Sequence, residues 1–531
     1  MQTATAMDVT PATVNQTGEV LLTMSAEAPS LTHKEAAASL ALASIIAPEA
    51  PDSARQPLEV VVVADRSGSM AGEKMNKMKT TLKFLVEKGL QSGDTLGLVA
   101  FDNTVDTRLP LTKMDGAGRK KALDAIAQLN VGGTTNLSGG LLQGCDLLLN
   151  KPETGATATR AVLLFTDGMA NAGIQDTPGI LAASAGVIAG RSCSLFTFGF
   201  GSDHNEECLR ALAESTSGLY YFIEKSEDIP TAFADCLGGL VSVVAQNATL
   251  VLEGSDAATV AKVHGSYKTE ADAATKRTTV SLGDLYSEDE KDVLIALELP
   301  ALPTAAAAAP AVRATLRYFN VATAKMEERS TVLEIARPEA TPTAQPLNLK
   351  IDEQRNRVAL AEAMESASRA ADGGRLAEGR ELLQAAVAAA ARTPSAATPL
   401  VSALRGDCEK LLSGYADEAE YGRWGSKMSK ASAMSHMQQR SNHSSAQVYA
   451  KKGKMSMRRA MAEQSLPESD DEDSGCEGPA VMQQLAAFSA PPALQKQGSA
   501  SGVGGPMRLA AASPERRPSL TEKIFGKKGK K

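Results

Sequence analysis

Asp65, Ser67 and Ser69 alternate in Asp65-Arg66-Ser67-Gly68-Ser69, directly after the apolar run Val60-Val61-Val62-Val63-Ala64. An acid and two hydroxyls at every second position can aim their oxygens into one small space. That set suits a hard cation such as Mg2+, with Mn2+ or Ca2+ as alternatives, because such ions take oxygen ligands and Mg2+ keeps several waters. Two later loops add oxygens. Gly132-Gly133-Thr134-Thr135-Asn136-Leu137 offers a threonine hydroxyl, and Phe165-Thr166-Asp167-Gly168 a second carboxylate. Together they leave an octahedron incomplete, so one position stays open for water or for a partner's Asp or Glu. Taken singly, each loop has a plainer reading: Ser67 or Ser69 as the N-cap of a helix near Met70, Asp167-Gly168 as an ordinary turn. Three such loops in order favour the metal. Asp102, in Phe101-Asp102-Asn103, also lies at a strand end and reads as a supporting or loop-capping acid.

The elements around these loops alternate. Leu58 to Ala64, Thr95 to Phe101, Arg160 to Thr166, Ser192 to Phe200 and Leu219 to Ile223 read as strands. Stretches of helical period separate most of them, and Asp106 to Thr112 reads as a short edge strand. Strands alternating with helices imply an α/β layer with a mostly parallel, doubly wound sheet, whose ligand crevice lies at the carboxyl ends of the strands. Residues 245–337 change to successive strands without helices, an antiparallel β-sandwich. Residues 17–57 hold two further strand-like runs, Glu19 to Met24 and Ala38 to Ile46, the second also readable as helix. They are expected to join the sandwich, which makes the α/β layer of 58–240 an insertion. Ala305 to Ala309 reads as a loop.

Residues 348–462 read as a helical C-terminal region, beginning with a hairpin broken at Gly373-Gly374. After about Gly414 the pattern thins. Residues 422–462 hold nine Lys or Arg and no Asp or Glu, and 463–477 hold seven Asp or Glu and no Lys or Arg. Residues 1–16 and 463–531 read as disordered tails. Ser469, Ser474 and Arg516-Arg517-Pro518-Ser519 resemble phosphorylation sites.

The pattern Asp-x-Ser-x-Ser, then Gly-Gly-Thr, then Thr-Asp-Gly resembles the metal-ion-dependent adhesion site of von Willebrand factor A (VWA) domains, over about residues 58–240. The resemblance implies the VWA fold and a metal held by Asp65, Ser67, Ser69, Thr135 and Asp167. Thr134 is the alternative, because two adjacent threonines leave the register open. A second resemblance rests on Asp352-Glu353-Gln354-Arg355-Asn356-Arg357, the hairpin through Arg392, Tyr415, and Ser435-His436-Met437-Gln438-Gln439-Arg440-Ser441. These look like the region that follows VWA domains in VWA–Hint proteins and in plant VWA–RING ubiquitin ligases. Neither a RING-type Cys/His cluster nor a Hint nucleophile is found, so ligase or splicing activity does not carry over.

Composition narrows the classes further. A net charge of −7 over 531 residues argues against global nucleic-acid binding. Six scattered cysteines without a C-x-x-C pair fit a reducing compartment. The sequence shows neither an apolar leader nor a run of roughly 18 apolar residues. The expectation is a cytoplasmic protein that does not enter membranes, with a Lys-rich end that also fits nuclear import. No Ser/His/Asp order, H-E-x-x-H or Walker loop appears, so a non-enzymatic adaptor is expected, one that binds a protein ligand's carboxylate and by analogy sits near ubiquitin pathways. Two alternatives stand beside it: a subunit assisting an ATPase of the chelatase type, and nucleic-acid binding through 422–462 with Trp424 and Tyr449 as stacking platforms.

Overall fold

A computed structural model describes residues 18–50, 55–150, 158–188, 193–343 and 345–464. The expected tail 1–16 and all of 463–531 beyond Gln464 lie outside the described residues, as do the phosphorylation-like motifs. The chain enters with β1 (Leu21–Ala26) and β2 (Ala37–Ile46). An α/β layer follows: β3 (Leu58–Asp65), α1 (Glu73–Phe84), β4 (Thr95–Phe101), β5 (Val105–Lys113), α2 (Gly116–Ala127), α3 (Leu137–Leu149), β6 (Thr159–Thr166), α4 (Thr177–Ile188), β7 (Ser194–Phe200), α5 (Glu206–Glu214), β8 (Tyr220–Ile223) and α6 (Ile229–Leu240).

The sheet order is β5-β4-β3-β6-β7-β8, parallel except for the antiparallel edge strand β5. Val60 to Ala64 and Ala161 to Phe165 are at most 1% exposed. Helices cover both faces, which is why these strands are continuous apolar runs rather than alternating ones. Stacked rings fix one side of the layer: Phe165 on Phe198 at 4.4 Å between centroids, and Phe198 on Tyr221 at 4.9 Å. Phe233 of α6 leans on Phe165 at 6.0 Å. From β3 the chain builds β4 on one side and later returns to build β6 on the other. The strand order therefore reverses at β3 and β6, and the crevice opens beyond their carboxyl ends.

Seven strands follow: β9 (Val243–Gly254), β10 (Thr259–Val263), β11 (Lys268–Asp272), β12 (Arg277–Tyr286), β13 (Glu290–Leu299), β14 (Ala306–Asn320) and β15 (Lys325–Arg337). They form two antiparallel sheets, β1-β2-β13-β10 and β11-β12-β9-β14-β15. The α/β layer thus interrupts the first sheet between β2 and β13. The helical reading of Ala38 to Ile46 loses to pairing on both sides, by β1 and β13. Ala306 to Ala309 open β14 instead of forming a loop. There β14 runs past the end of β9, whose last pair is Gly254 with Val312, so its ladder is one-sided and Pro310 is tolerated without an N–H.

The C-terminal region comprises α7 (Leu349–Asp372), α8 (Leu376–Ala390), α9 (Pro399–Gly414), the single turn α10 (Glu418–Glu420), α11 (Ser426–Gln438) and α12 (Lys452–Gln464). The pattern does not thin out structurally after Gly414. Ten of the thirteen residues of α11 are buried, among them Ser429, Ser432, Ser435 and His436. Arg357 of α7, 0% exposed, donates to the carbonyls of His436 (3.0 Å) and Asp292 (3.1 Å). Gln439 brackets the Asp292 backbone with both amide atoms, at 3.0 Å each. The two segments quoted for the second resemblance therefore meet on β13. Among the described residues no helix is long and apolar enough to cross a membrane.

Glu206, the first residue of α5, joins the α/β layer to α11. Its carboxylate accepts from Lys430 at 2.9 Å and from the Ser426 hydroxyl at 2.8 Å, with Lys427 at 3.7 Å. Burial works to raise its pKa, but the two ammoniums prevail and bring it to about 2. A depressed acid contributes stability above its unfolded pKa of 4.5 and loses it as pH falls toward 2. The shift corresponds to about 3 kcal/mol. Glu206→Gln is expected to cost about that much at pH 7, with the gap to wild type closing between pH 4.5 and 2. Urea denaturation of both proteins across that range checks it, and a gap independent of pH would contradict it.

Candidate metal centre

The carboxyl ends of β3, β4 and β6 each deliver an acid: Asp65 as the last residue of β3, Asp102 just after β4, and Asp167 just after β6. Asp65 is 0% and Asp167 1% exposed. After Asp65 the chain turns tightly. The Ser67 N–H donates to Asp65 Oδ1 at 2.8 Å, which folds the loop back on its own acid. The Thr166 hydroxyl donates to Asp65 Oδ2 at 2.6 Å. The hydroxyls of Ser67 and Ser69 are 3.1 Å apart, and Ser69 Oγ donates to Asp167 Oδ1 at 2.7 Å.

The Gly132-Gly133 loop is pressed onto this turn. Gly132 N–H donates to the Arg66 carbonyl at 2.6 Å and Gly68 N–H to the Gly133 carbonyl at 3.0 Å. A Cβ on Gly132 would sit 1.8 Å from Oδ2 of the buried, hydrogen-bonded Asp102, so glycine is required there, while one on Gly133 would only push aside the exposed Asn103 side chain at 2.6 Å. The loop then places Thr135. Its N–H donates to Asn171 Oδ1 at 2.7 Å, and the N–H groups of Asn171 and Ala172 return to its carbonyl. Thr135 is buried and Thr134 exposed. A Cβ on Gly168 would lie 3.3 Å from Thr135 Oγ1 and 3.8 Å from Ser69 Oγ, so this hydroxyl faces the same space as Ser69 and Asp167. The structure thus brings Asp65, Ser67, Ser69, Thr135 and Asp167 together and leaves Thr134 outside.

The two acids at neighbouring strand ends are treated oppositely. Burial pushes the Asp65 carboxyl up to about 6, against its hydrogen bonds from Thr166 and Ser67, and the nearby Asp167 adds to the rise. Asp102 is held below the usual carboxylate range although burial opposes this. The Thr104 N–H and hydroxyl, the Gly133 N–H and the Arg66 guanidinium all donate to it. Asp102 is satisfied by the protein, and Asp65 is an acid short of positive charge. Two buried carboxylates with three hydroxyls are a hard oxygen set, and they fit a divalent cation that retains water. Among the described residues no three His, Cys, Asp or Glu side chains converge to hold a metal, so such a site has to draw on hydroxyls.

Sequence reasoning missed three supporting residues. Thr166 lies inside the motif but was read only as its framework. Asn171 carries no motif. Lys74, second residue of α1, places Nζ 2.5 Å from Asp167 Oδ2. Its only sequence signal is a cation one helical turn after the serines.

Part of the charged stretch 422–462 turns inward, while Arg423, Lys452 and Arg459 stay exposed. Lys454 and Arg458 pair with Asp235, Lys430 with Glu206 and Asp372, and Arg423 with Glu224. Arg440 lies 4.3 Å over the Tyr286 ring, and Trp424 Nε1 donates to Glu420 at 2.8 Å.

Residues 59–235 match the model of the von Willebrand factor type A domain. The chain is 29% identical over 261 residues to the E3 ubiquitin-protein ligase WAV3 of Arabidopsis thaliana, which covers 48% of this chain and 32% of that protein. It is 33% identical over 175 residues to inter-alpha-trypsin inhibitor heavy chain H1 of Mesocricetus auratus, covering 32% of this chain and 19% of that one. The chain spans about a third or less of the length of these two curated relatives. Among solved structures, a von Willebrand factor type A protein from Catenulispora acidiphila superposes with a TM-score of 0.60 at 18% identity, over 75% of this chain and 92% of that one. The ArnB paralog VWA2 from Sulfolobus acidocaldarius gives 0.53 at 17%, over 79% and 98%. At these identities the likeness is one of fold.

The geometry separates the two threonines. Thr135→Ala is expected to weaken Mn2+ binding by at least about tenfold, and Thr134→Ala to leave it at the wild-type value. Calorimetric titration of both variants checks this, and the reverse order would misplace the site.

Proposed function

The chain carries a von Willebrand factor type A domain over residues 59–235, and from that premise we propose that it is a non-enzymatic, metal-dependent adaptor. Asp65, Ser67, Ser69, Thr135 and Asp167 hold Mg2+, or Mn2+ or Ca2+ in its place. An Asp or Glu from a protein partner completes the coordination. When bound, the ion supplies an electrophilic position for that carboxylate. The chain's own residues orient the loops, exclude water from Asp65 and set which surface surrounds the contact.

One observation carries this reading: Asp65 is fully enclosed, with neutral donors as its direct hydrogen-bond partners, in a pocket of hydroxyls that opens at Ser69. Around the opening the loops expose large apolar side chains. Val131 is 39%, Met169 54% and Ile174 37% exposed. A partner contact there buries apolar area around one charged contact, the usual anatomy of an interface centre. The relative named as a ubiquitin ligase supports a place near ubiquitin pathways, and the reading of the compartment stays cytoplasmic, with nuclear import open to the Lys-rich end.

Affinity capture from native extract tests the proposal in three parallel samples: wild type in Mg2+, wild type in EDTA, and Asp65→Ala in Mg2+. Melting curves verify that the variant is folded. A partner recovered only in the first sample is expected. The same proteins in all three samples would move the function away from the metal loops.

A further inference from the structure

We infer that Lys74 sets the net charge of the metal centre, so that the loaded site attracts an external carboxylate; the inference rests on the metal reading above. Lys74 Nζ lies 2.5 Å from Asp167 Oδ2 and 3.5 Å from the Ser69 carbonyl. A Cβ on Gly201, in the loop after β7, would lie 3.9 Å from it. The ammonium is therefore seated among the first, third and fourth strand-end loops rather than swinging in solvent. It takes the Asp167 oxygen that Ser69 does not, since Ser69 holds Oδ1.

At the adjacent end of β4 the paired charges compensate one another. Arg66 pairs with Asp102 at 3.3 Å and Asp106 at 2.9 Å, and Arg108 shares Asp106 at 3.1 Å. That leaves Asp65, Asp167 and Lys74 to set the balance. With both acids ionised, the metal-free site carries one net negative charge. A divalent ion turns this into one net positive charge, and a partner carboxylate brings it to zero. Without Lys74 the same steps run from two negative charges through zero to one negative charge on capture. Lys74 thus weakens binding of the ion alone and strengthens capture of the carboxylate. Metal and partner become linked, each raising the affinity for the other.

The test uses the full chain with Mn2+ as probe. Calorimetry measures the ion's affinity for wild type, Lys74→Met, Lys74→Arg and Asp65→Ala. Water-proton relaxation of the Mn2+-loaded proteins, titrated with acetate, reports displacement of metal-bound water by a carboxylate. Lys74→Met is expected to bind Mn2+ about tenfold more tightly or better at low salt, with a gap that narrows as salt rises. It should also take acetate more weakly than wild type. Lys74→Arg keeps the charge and should track wild type in both readouts. Unchanged or weaker Mn2+ binding by Lys74→Met, or unchanged acetate uptake, would overturn the inference while leaving the metal site standing. A wild type that binds Mn2+ no better than Asp65→Ala would instead sink the metal reading itself.

Discussion

A carboxylate removed from water at the end of the central strand constrains everything built around it. Asp65 is 0% exposed and receives the Ser67 N–H and the Thr166 hydroxyl. Neutral donors soften the cost of burying an anion but do not cancel it, which is why burial dominates and the carboxyl rises to about 6. Asp102 follows Phe101, the register partner of Asp65 on the adjacent strand. It receives two backbone N–H groups, a hydroxyl and a guanidinium, and moves the other way. The contrast separates an acid satisfied by the protein's own donors from one that is not. Lys74 pairs with Asp167 rather than with Asp65 and reaches in from a partly exposed position.

Much of this was legible because the chemistry is concentrated where the sheet topology demands it. A Val-rich strand with both faces covered must end in a crevice, and the first polar residues after it are the candidates. Spacing could not choose between Thr134 and Thr135, since side-chain parity has no meaning in an irregular loop. The choice is made by Asn171 and Gly168, more than thirty residues away in sequence. Lys74 was invisible because a lysine in the first turn of a helix is ordinarily solvated. Helix α11 was harder still. Its buried positions are largely Ser and Ala, so no apolar periodicity marks it, and its cations have no acids within the stretch. Their partners Glu206 and Asp372 belong to α5 and α7, as the Asp235 partner of the α12 cations belongs to α6.

That long-range pairing bears on how the molecule presents itself. The C-terminal helices dock on one side of the α/β layer, with α11 against β8 and α5, and α12 against α6. Asp235 of α6 is fully enclosed and holds both Lys454 and Arg458. Removing Asp235 would leave two largely buried cations without their acid, a cost of about 3–5 kcal/mol for a buried pair that loses one partner. The helical region is therefore bound to the layer by charge as well as by apolar contact. The loops at β3, β4 and β6 lie away from that seam, and Ser69, Thr134 and Met169 remain exposed. Arg423, Lys452 and Arg459 in 422–462 stay exposed, but Lys430, Lys454 and Arg458 are committed to internal acids. A phosphate backbone would have to compete with buried carboxylates for them, at the expense of the fold. The carboxyl edge of the sheet makes no such demand: the proposed ion would meet Asp65, whose direct hydrogen-bond partners are neutral, and a partner carboxylate would reach that ion at the exposed Ser69.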